Sequence, residues 1–122
     1  MCDIEKEYRK ESRVPDHHPL RVKKIKSSSD DKWDVSTIRN MSKAGLLFYS
    51  YYTYETGSEC EVRIMNPVLL KEISCEARVV RCIPVERMKN IYAIALEFTK
   101  IEPSSKEAFD KTIEFYLHKK DS

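Results

Sequence analysis

The chain has 122 residues, 41% hydrophobic and 34% charged, with 22 Lys+Arg against 20 Asp+Glu. That length predicts one domain, too small for a large two-domain enzyme or a deep, many-layered active site. A net charge of +2 excludes bulk charge as a basis for nucleic-acid or membrane binding, so function must lie in a local arrangement of residues.

Residues 1–18 are polar, carry Arg9, Lys10, Arg13, His17 and His18, and show no periodic apolar face. Such a segment buries too little apolar surface to order itself, which predicts a mobile arm over residues 1–18. Period-two patterning begins at Pro19. Leu20, Val22 and Ile25 open a first strand, and the phase slip before Ile25 predicts a bulge. Ser27-Ser28-Ser29-Asp30-Asp31 reads as a turn-rich break. Trp33, Val35 and Ile38 mark the next strand, and Ala44-Gly45-Leu46-Leu47-Phe48-Tyr49 the one after it. Thr56-Gly57-Ser58 makes a further turn.

From Glu59 to Ile64 the alternation is strict, charge outward and apolar inward, until Asn66-Pro67 breaks it. Ile73, Cys75, Ala77 and Val79 supply another inward face; Tyr92, Ile94, Leu96 and Phe98 supply the last. About six short strands separated by turns predict an antiparallel barrel or sandwich over residues 19–101. The end of the chain changes period. Ser104 and Glu107 stand at capping-box spacing, and Phe109, Ile113, Tyr116 and Leu117 follow as a helical stripe. His118, Lys119 and Lys120 sit where a helix dipole favours cations. The fold class expected is therefore all-β with one C-terminal helix over 102–122, packed on the barrel.

No run approaches the roughly 20 apolar residues that cross a bilayer. Met1 to Lys6 alternates charge and lacks the apolar core of a secretory signal, which predicts a cytoplasmic protein. Cys2, Cys60, Cys75 and Cys82 form no C-x-x-C pair, and their sparseness fits free thiols in a reducing compartment. Cys60 and Cys75 fall on inward strand positions and are expected to be buried. No ligand spacing supports a zinc site. No Ser/His/Asp, Cys/His or paired-carboxylate set occurs in a plausible context, so neither an enzyme nor a cofactor is expected.

Two short motifs stand out. Arg9-Lys10-Glu11-Ser12-Arg13 sets two arginines four positions apart in the arm. Asn40-Met41-Ser42-Lys43-Ala44-Gly45 is a polar triplet between two strands, closing on one of only two glycines, and 26 residues separate Arg13 from Asn40. Taken singly, the arginines read as solvated surface, Asn-x-Ser as turn chemistry and Gly45 as a bulge. Taken together, R-x-x-x-R, a spacer and N-x-S-x-x-G resemble the mark of the PilZ family, and the resemblance runs from about Glu7 to Ile101.

That resemblance implies a six-stranded antiparallel β-barrel of PilZ type that binds cyclic di-GMP, with Arg9, Arg13, Asn40, Ser42 and Gly45 at the ligand. The chemistry of the ligand fits these residue types. An arginine fork matches guanine O6 and N7, stacks on a base and pairs with phosphate. An Asn40 amide oxygen suits guanine N–H donors, though many relatives place a carboxylate there. A Ser42 hydroxyl bonds base or phosphate, and Gly45, lacking a Cβ, admits a ligand or a strand at close range.

Tyr8 stands where some relatives carry a further arginine that holds a second stacked ligand, so one ligand per chain is expected. Lys10, Lys43 and Arg81 are secondary candidates for phosphate or stacking contacts. Ala95 occupies a last-strand position that is often glycine in relatives. Phe48, Tyr49, Tyr51, Tyr52 and Tyr54 crowd seven positions, and any left exposed by strand alternation form a candidate partner surface.

The expected function is a sensor whose arm orders over the ligand and changes the surface shown to a separate effector protein. A small barrel binding single-stranded nucleic acid through its tyrosines is one alternative, disfavoured by the near-neutral charge. A PilZ-like interaction module without ligand is the other. Oligomeric state is open. Residues 1–26 hold eight Lys+Arg against five acids, so the small positive excess sits at the arm's end of the chain.

Overall fold

The computed structural model describes residues 18–25, 32–66 and 69–121, the last four of these by backbone alone. The expected turn at 27–31 and the side chains of His118, Lys119 and Lys120 lie outside that set. Six strands form: β1 (Pro19–Lys24), β2 (Asp34–Met41), β3 (Gly45–Ser50), β4 (Glu59–Asn66), β5 (Lys71–Pro84) and β6 (Tyr92–Ile101). They close in the order β1-β2-β3-β6-β5-β4, every neighbour antiparallel. A single 3-10 turn at Pro103–Ser105 leads into α1 (Lys106–Asp121). This is the six-stranded barrel with one terminal helix that the strand count and the PilZ resemblance predict.

The inward face follows the alternation. Leu20, Val22, Ile38, Phe48, Val62, Ile64, Ile73, Val79 and Ile94 are essentially inaccessible, and Cys60 and Cys75 lie buried among them as free thiols. Each large aliphatic or aromatic side chain removed from water contributes about 1.5–3 kcal/mol, so this ring of residues outweighs any surface contact in the barrel. Helix α1 closes the core with Ala108, Phe109, Ile113 and Tyr116, all buried. Phe109 meets Phe98 edge to face at 5.1 Å. Buried Thr112 donates to the Ala108 carbonyl and accepts from the Asn66 amide at 2.9 Å, tying the helix to the end of β4.

Four local expectations are corrected, and one marker of a strand that does form turns out to face solvent. Strand β1 carries no bulge: it ends at Lys24, and Ile25 sits in a turn, its N–H donating to the Glu59 carbonyl. Val35 points outward and is 71% exposed, because Asp34, Ser36 and Ile38 take the inner phase of β2. The capping box does not form. Glu102 caps the 3-10 turn without a side-chain bond, Pro103 enters where no N–H is needed, and Ser105 Oγ accepts from the Ser74 N–H at 2.9 Å. Leu117 falls off the buried stripe and is half exposed. Finally, His18, grouped with the arm by composition, is buried at the start of β1. Its N–H donates to the Tyr116 hydroxyl at 3.0 Å, its Nδ1 lies 3.1 Å from the same oxygen, and its ring meets Phe115 edge-on.

Candidate ligand-binding face

The Asn40–Gly45 motif occupies the β2–β3 hairpin. The Ser42 N–H donates to the Gly45 carbonyl at 2.9 Å and closes a four-residue turn; Ser42 Oγ accepts from the Ala44 N–H at 3.2 Å. Asn40 Oδ1 accepts from the Met41 N–H at 2.9 Å. That bond takes one of the two lone pairs of the amide oxygen, so the exposed Asn40 side chain keeps an acceptor as well as its NH2 donors.

What turns Asn40 outward is a bulge. Ile38 pairs with Phe48 and Asn40 with Leu47, so Arg39 is an extra residue in β2. Without it, Asn40 would take the inward phase after Ile38; with it, Arg39 and Asn40 are both exposed and Met41 returns to the core. A second bulge does the same on β5. Val79 pairs with Leu96 and Arg81 with Ala95, which leaves Val80 extra and puts Arg81 outside. The pairings Asn40–Leu47, Leu47–Ala95 and Ala95–Arg81 then form one row across four strands, all on the outer face. Three strand spacings separate its ends by about 14 Å.

Gly45 stands two pairs along from Leu47, opposite Glu97, which ion-pairs with Arg78 at 2.7 Å. A Cβ at Gly45 would lie 1.9 Å from the Leu96 carbonyl oxygen. The glycine is therefore required by the close approach of β6, one of the two reasons the sequence offered for it. Around the hairpin lies an open depression of about 410 Å³ lined by Asn40, Ser42, Gly45, Leu47, Glu97 and Leu117, among others. The structure thus brings Asn40, Ser42 and Gly45 to one site. Lys43 is exposed at the hairpin tip and Arg81 at the end of the row, both beside the depression and outside its lining. Arg9, Arg13, Tyr8 and Lys10 lie outside the described residues.

Three features here escape sequence reasoning. Arg39 packs its guanidinium over Tyr49 at 4.7 Å, Glu97 brings a carboxylate to the rim, and Leu117 forms a wall. The phase slip between Ile38 and Met41 looks like the one before Ile25, where no bulge forms, and Leu117 keeps the period of the core stripe, so none of these had a readable signal beyond residue type.

Comparison with known proteins adds the decisive observation: the family model for the PilZ domain matches residues 7–115. The chain belongs to the PilZ domain family. That is a binding family of the cyclic di-GMP type, not a catalytic one. Among solved structures, the Bacillus subtilis inhibitor of motility MotI/DgrA matches with a TM-score of 0.67 at 16% identity. The match covers 98% of this chain and 56% of that one, so the chain spans little more than half the length of that neighbour. At such identity the likeness is one of fold. No curated protein sequence matches significantly. No helix among the described residues of this PilZ domain is long and apolar enough to cross a membrane.

Proposed function

We propose that this PilZ domain is a non-enzymatic receptor for cyclic di-GMP, seated on the outer face of the barrel at the β2–β3 hairpin. The observation that carries the reading is the bulge at Arg39, which gives up one ladder step and delivers Asn40 to the same face as Ser42 and Gly45. In a chain that also carries Arg9-x-x-x-Arg13, that face has the complement a cyclic dinucleotide needs. Asn40 offers its amide to guanine, the NH2 as donor to O6 or N7 and the oxygen, bonded once by the Met41 N–H, as acceptor for ring N–H groups. Ser42 adds a hydroxyl. Arg9 and Arg13 supply planar forks for phosphate and base, and Lys43 and Arg81 extend the positive edge.

Binding orders the arm over the ligand and replaces the surface presented to a separate effector protein, a disorder-to-order switch of a cytoplasmic signalling module. One ligand binds per chain, since Tyr8 stands where a third arginine would be needed.

Isothermal titration calorimetry with cyclic di-GMP tests this on the wild type, Arg13→Ala and Asn40→Ala, with cyclic di-AMP as control. Each charged hydrogen bond lost costs about 1.5–3 kcal/mol, so Arg13→Ala should weaken binding roughly tenfold to hundredfold. Asn40→Ala removes a neutral donor and should cost about tenfold or less. No heat with the wild type, or equal affinity in Arg13→Ala, overturns the reading.

A further inference from the structure

We propose that the barrel end opposite the Asn40 hairpin is a docking pit for an acidic segment of a partner protein, which inserts one aromatic side chain. Strand β2 runs from Asp34 to Met41, so this end lies about 25 Å from the hairpin turn and both sites can be filled together.

The pit has a volume of about 250 Å³ and is walled by Val22, Lys24, Lys32, Trp33, Tyr52 and Tyr54, with Asp34 at its side. That volume lies below the range of about 300–1,000 Å³ typical of small-molecule sites and suits a single ring. The walls are fixed. The Tyr54 and Ser50 hydroxyls both donate to Asp34 Oδ2, and Ser50 Oγ accepts from the Tyr52 N–H at 2.9 Å. Lys24 Nζ lies 4.9 Å from the centre of the Tyr54 ring and donates to the Thr53 carbonyl. Around the pit, Tyr51 and Tyr52 are 73% and 63% exposed.

Charge selects the partner. Arg21, Lys23 and Arg63 surround Trp33 at 4.8, 5.1 and 5.7 Å. Arg21 and Arg63 are engaged with Glu72 and Glu61, whereas Lys23, Lys24 and Lys32 make no ion pair among the described residues. Three uncompensated ammonium groups around a Trp and Tyr pit call for carboxylates flanking an aromatic anchor; tryptophan, tyrosine and arginine are the types that dominate interface energetics. A nucleic-acid strand fits less well. The ring slot is one pit rather than a track along which successive bases could stack.

Trp33 is the sole tryptophan and reports occupancy directly. In the absence of any dinucleotide, the full chain is titrated with a heptapeptide of alternating glutamate and aspartate around a central phenylalanine. The expected result is a saturable change in Trp33 emission. It should weaken about tenfold when the phenylalanine becomes alanine, when the acidic residues become lysine, or in Tyr52→Ala and Lys32→Glu. Both substituted side chains are exposed, and an unchanged thermal melt confirms the fold. No saturable change, equal response to the lysine peptide, or tighter binding of a thymidine dodecamer overturns the proposal, the last in favour of single-stranded DNA.

Discussion

An added methyl group at Gly45 would meet the Leu96 carbonyl oxygen at 1.9 Å, a contact that backbone atoms cannot relieve without moving a strand. Replacing a strand glycine by alanine ordinarily gains about 0.5–1 kcal/mol from the unfolded chain's lost freedom. Here the sign reverses. Gly45→Ala should destabilise the protein by about 1–3 kcal/mol in urea denaturation, as overpacking does elsewhere. The other glycine differs: Gly57 has open space around it but a φ of +93°, so alanine there is strained by conformation alone. A Gly45→Ala variant as stable as wild type would show that β3 and β6 can separate at this point. The residue types of the motif were legible in the sequence, and so was the need for a small residue. The orientation of Asn40 was not, since its outward aim comes from Arg39 having no partner in β3.

At the scale of elements, β4, β5 and β6 were legible because one face of each is buried and the other solvated, so the alternation holds through β4, in β5 up to the bulge at Val80 and in β6 up to Phe98. Strand β2 was harder to read. Its buried phase carries Asp34 and Ser36, whose polar side chains are held by Tyr54, Ser50 and the Tyr49 carbonyl. Helix α1 was legible through its stripe, while its start depends on tertiary contacts: Ser105 Oγ is taken by the Ser74 N–H, and a local cap gives way. The same helix holds the entry of the chain through His18 and Tyr116. Tyr116→Phe removes a hydroxyl that accepts from the His18 N–H and should cost about 1 kcal/mol in the urea midpoint. Amide exchange at the start of β1 and in the last turns of α1 should quicken together. Exchange rising in only one of them would mean that the two do not support each other.

Burial in the barrel moves two thiols and two tyrosine hydroxyls in the same direction. Burial holds the Cys60 thiol up to about 11 and Cys75 up to about 12, and it raises the Tyr54 and Tyr116 hydroxyls too, Tyr54 with help from the Asp34 carboxylate. In the unfolded chain the thiols ionise near about pH 8.5. Their stabilising contribution is therefore whole below that pH and is lost as pH rises from there through about 11 and 12, because the unfolded state sheds its protons first. The urea midpoint should fall steadily from pH 8 to pH 11, and Cys75→Ala should flatten the decline; a flat wild-type profile would contradict it. At pH 8 iodoacetamide should modify half-buried Cys82 well before Cys60 or Cys75.

Closure of the sheet has a consequence for crowding. A strand at the margin of an open sheet offers its unpaired amides and carbonyls to any neighbour, and proteins usually blunt such margins with charge or proline. In this ring β1 bonds β4 as fully as it bonds β2, so among the described residues no strand presents a whole free edge for a second chain to extend. Of the fourteen residues of β5, β4 covers those up to Arg78 and β6 those from Cys75, and the stretch that runs past β4 carries Arg81 and Pro84, the charge and proline that blunt an exposed margin.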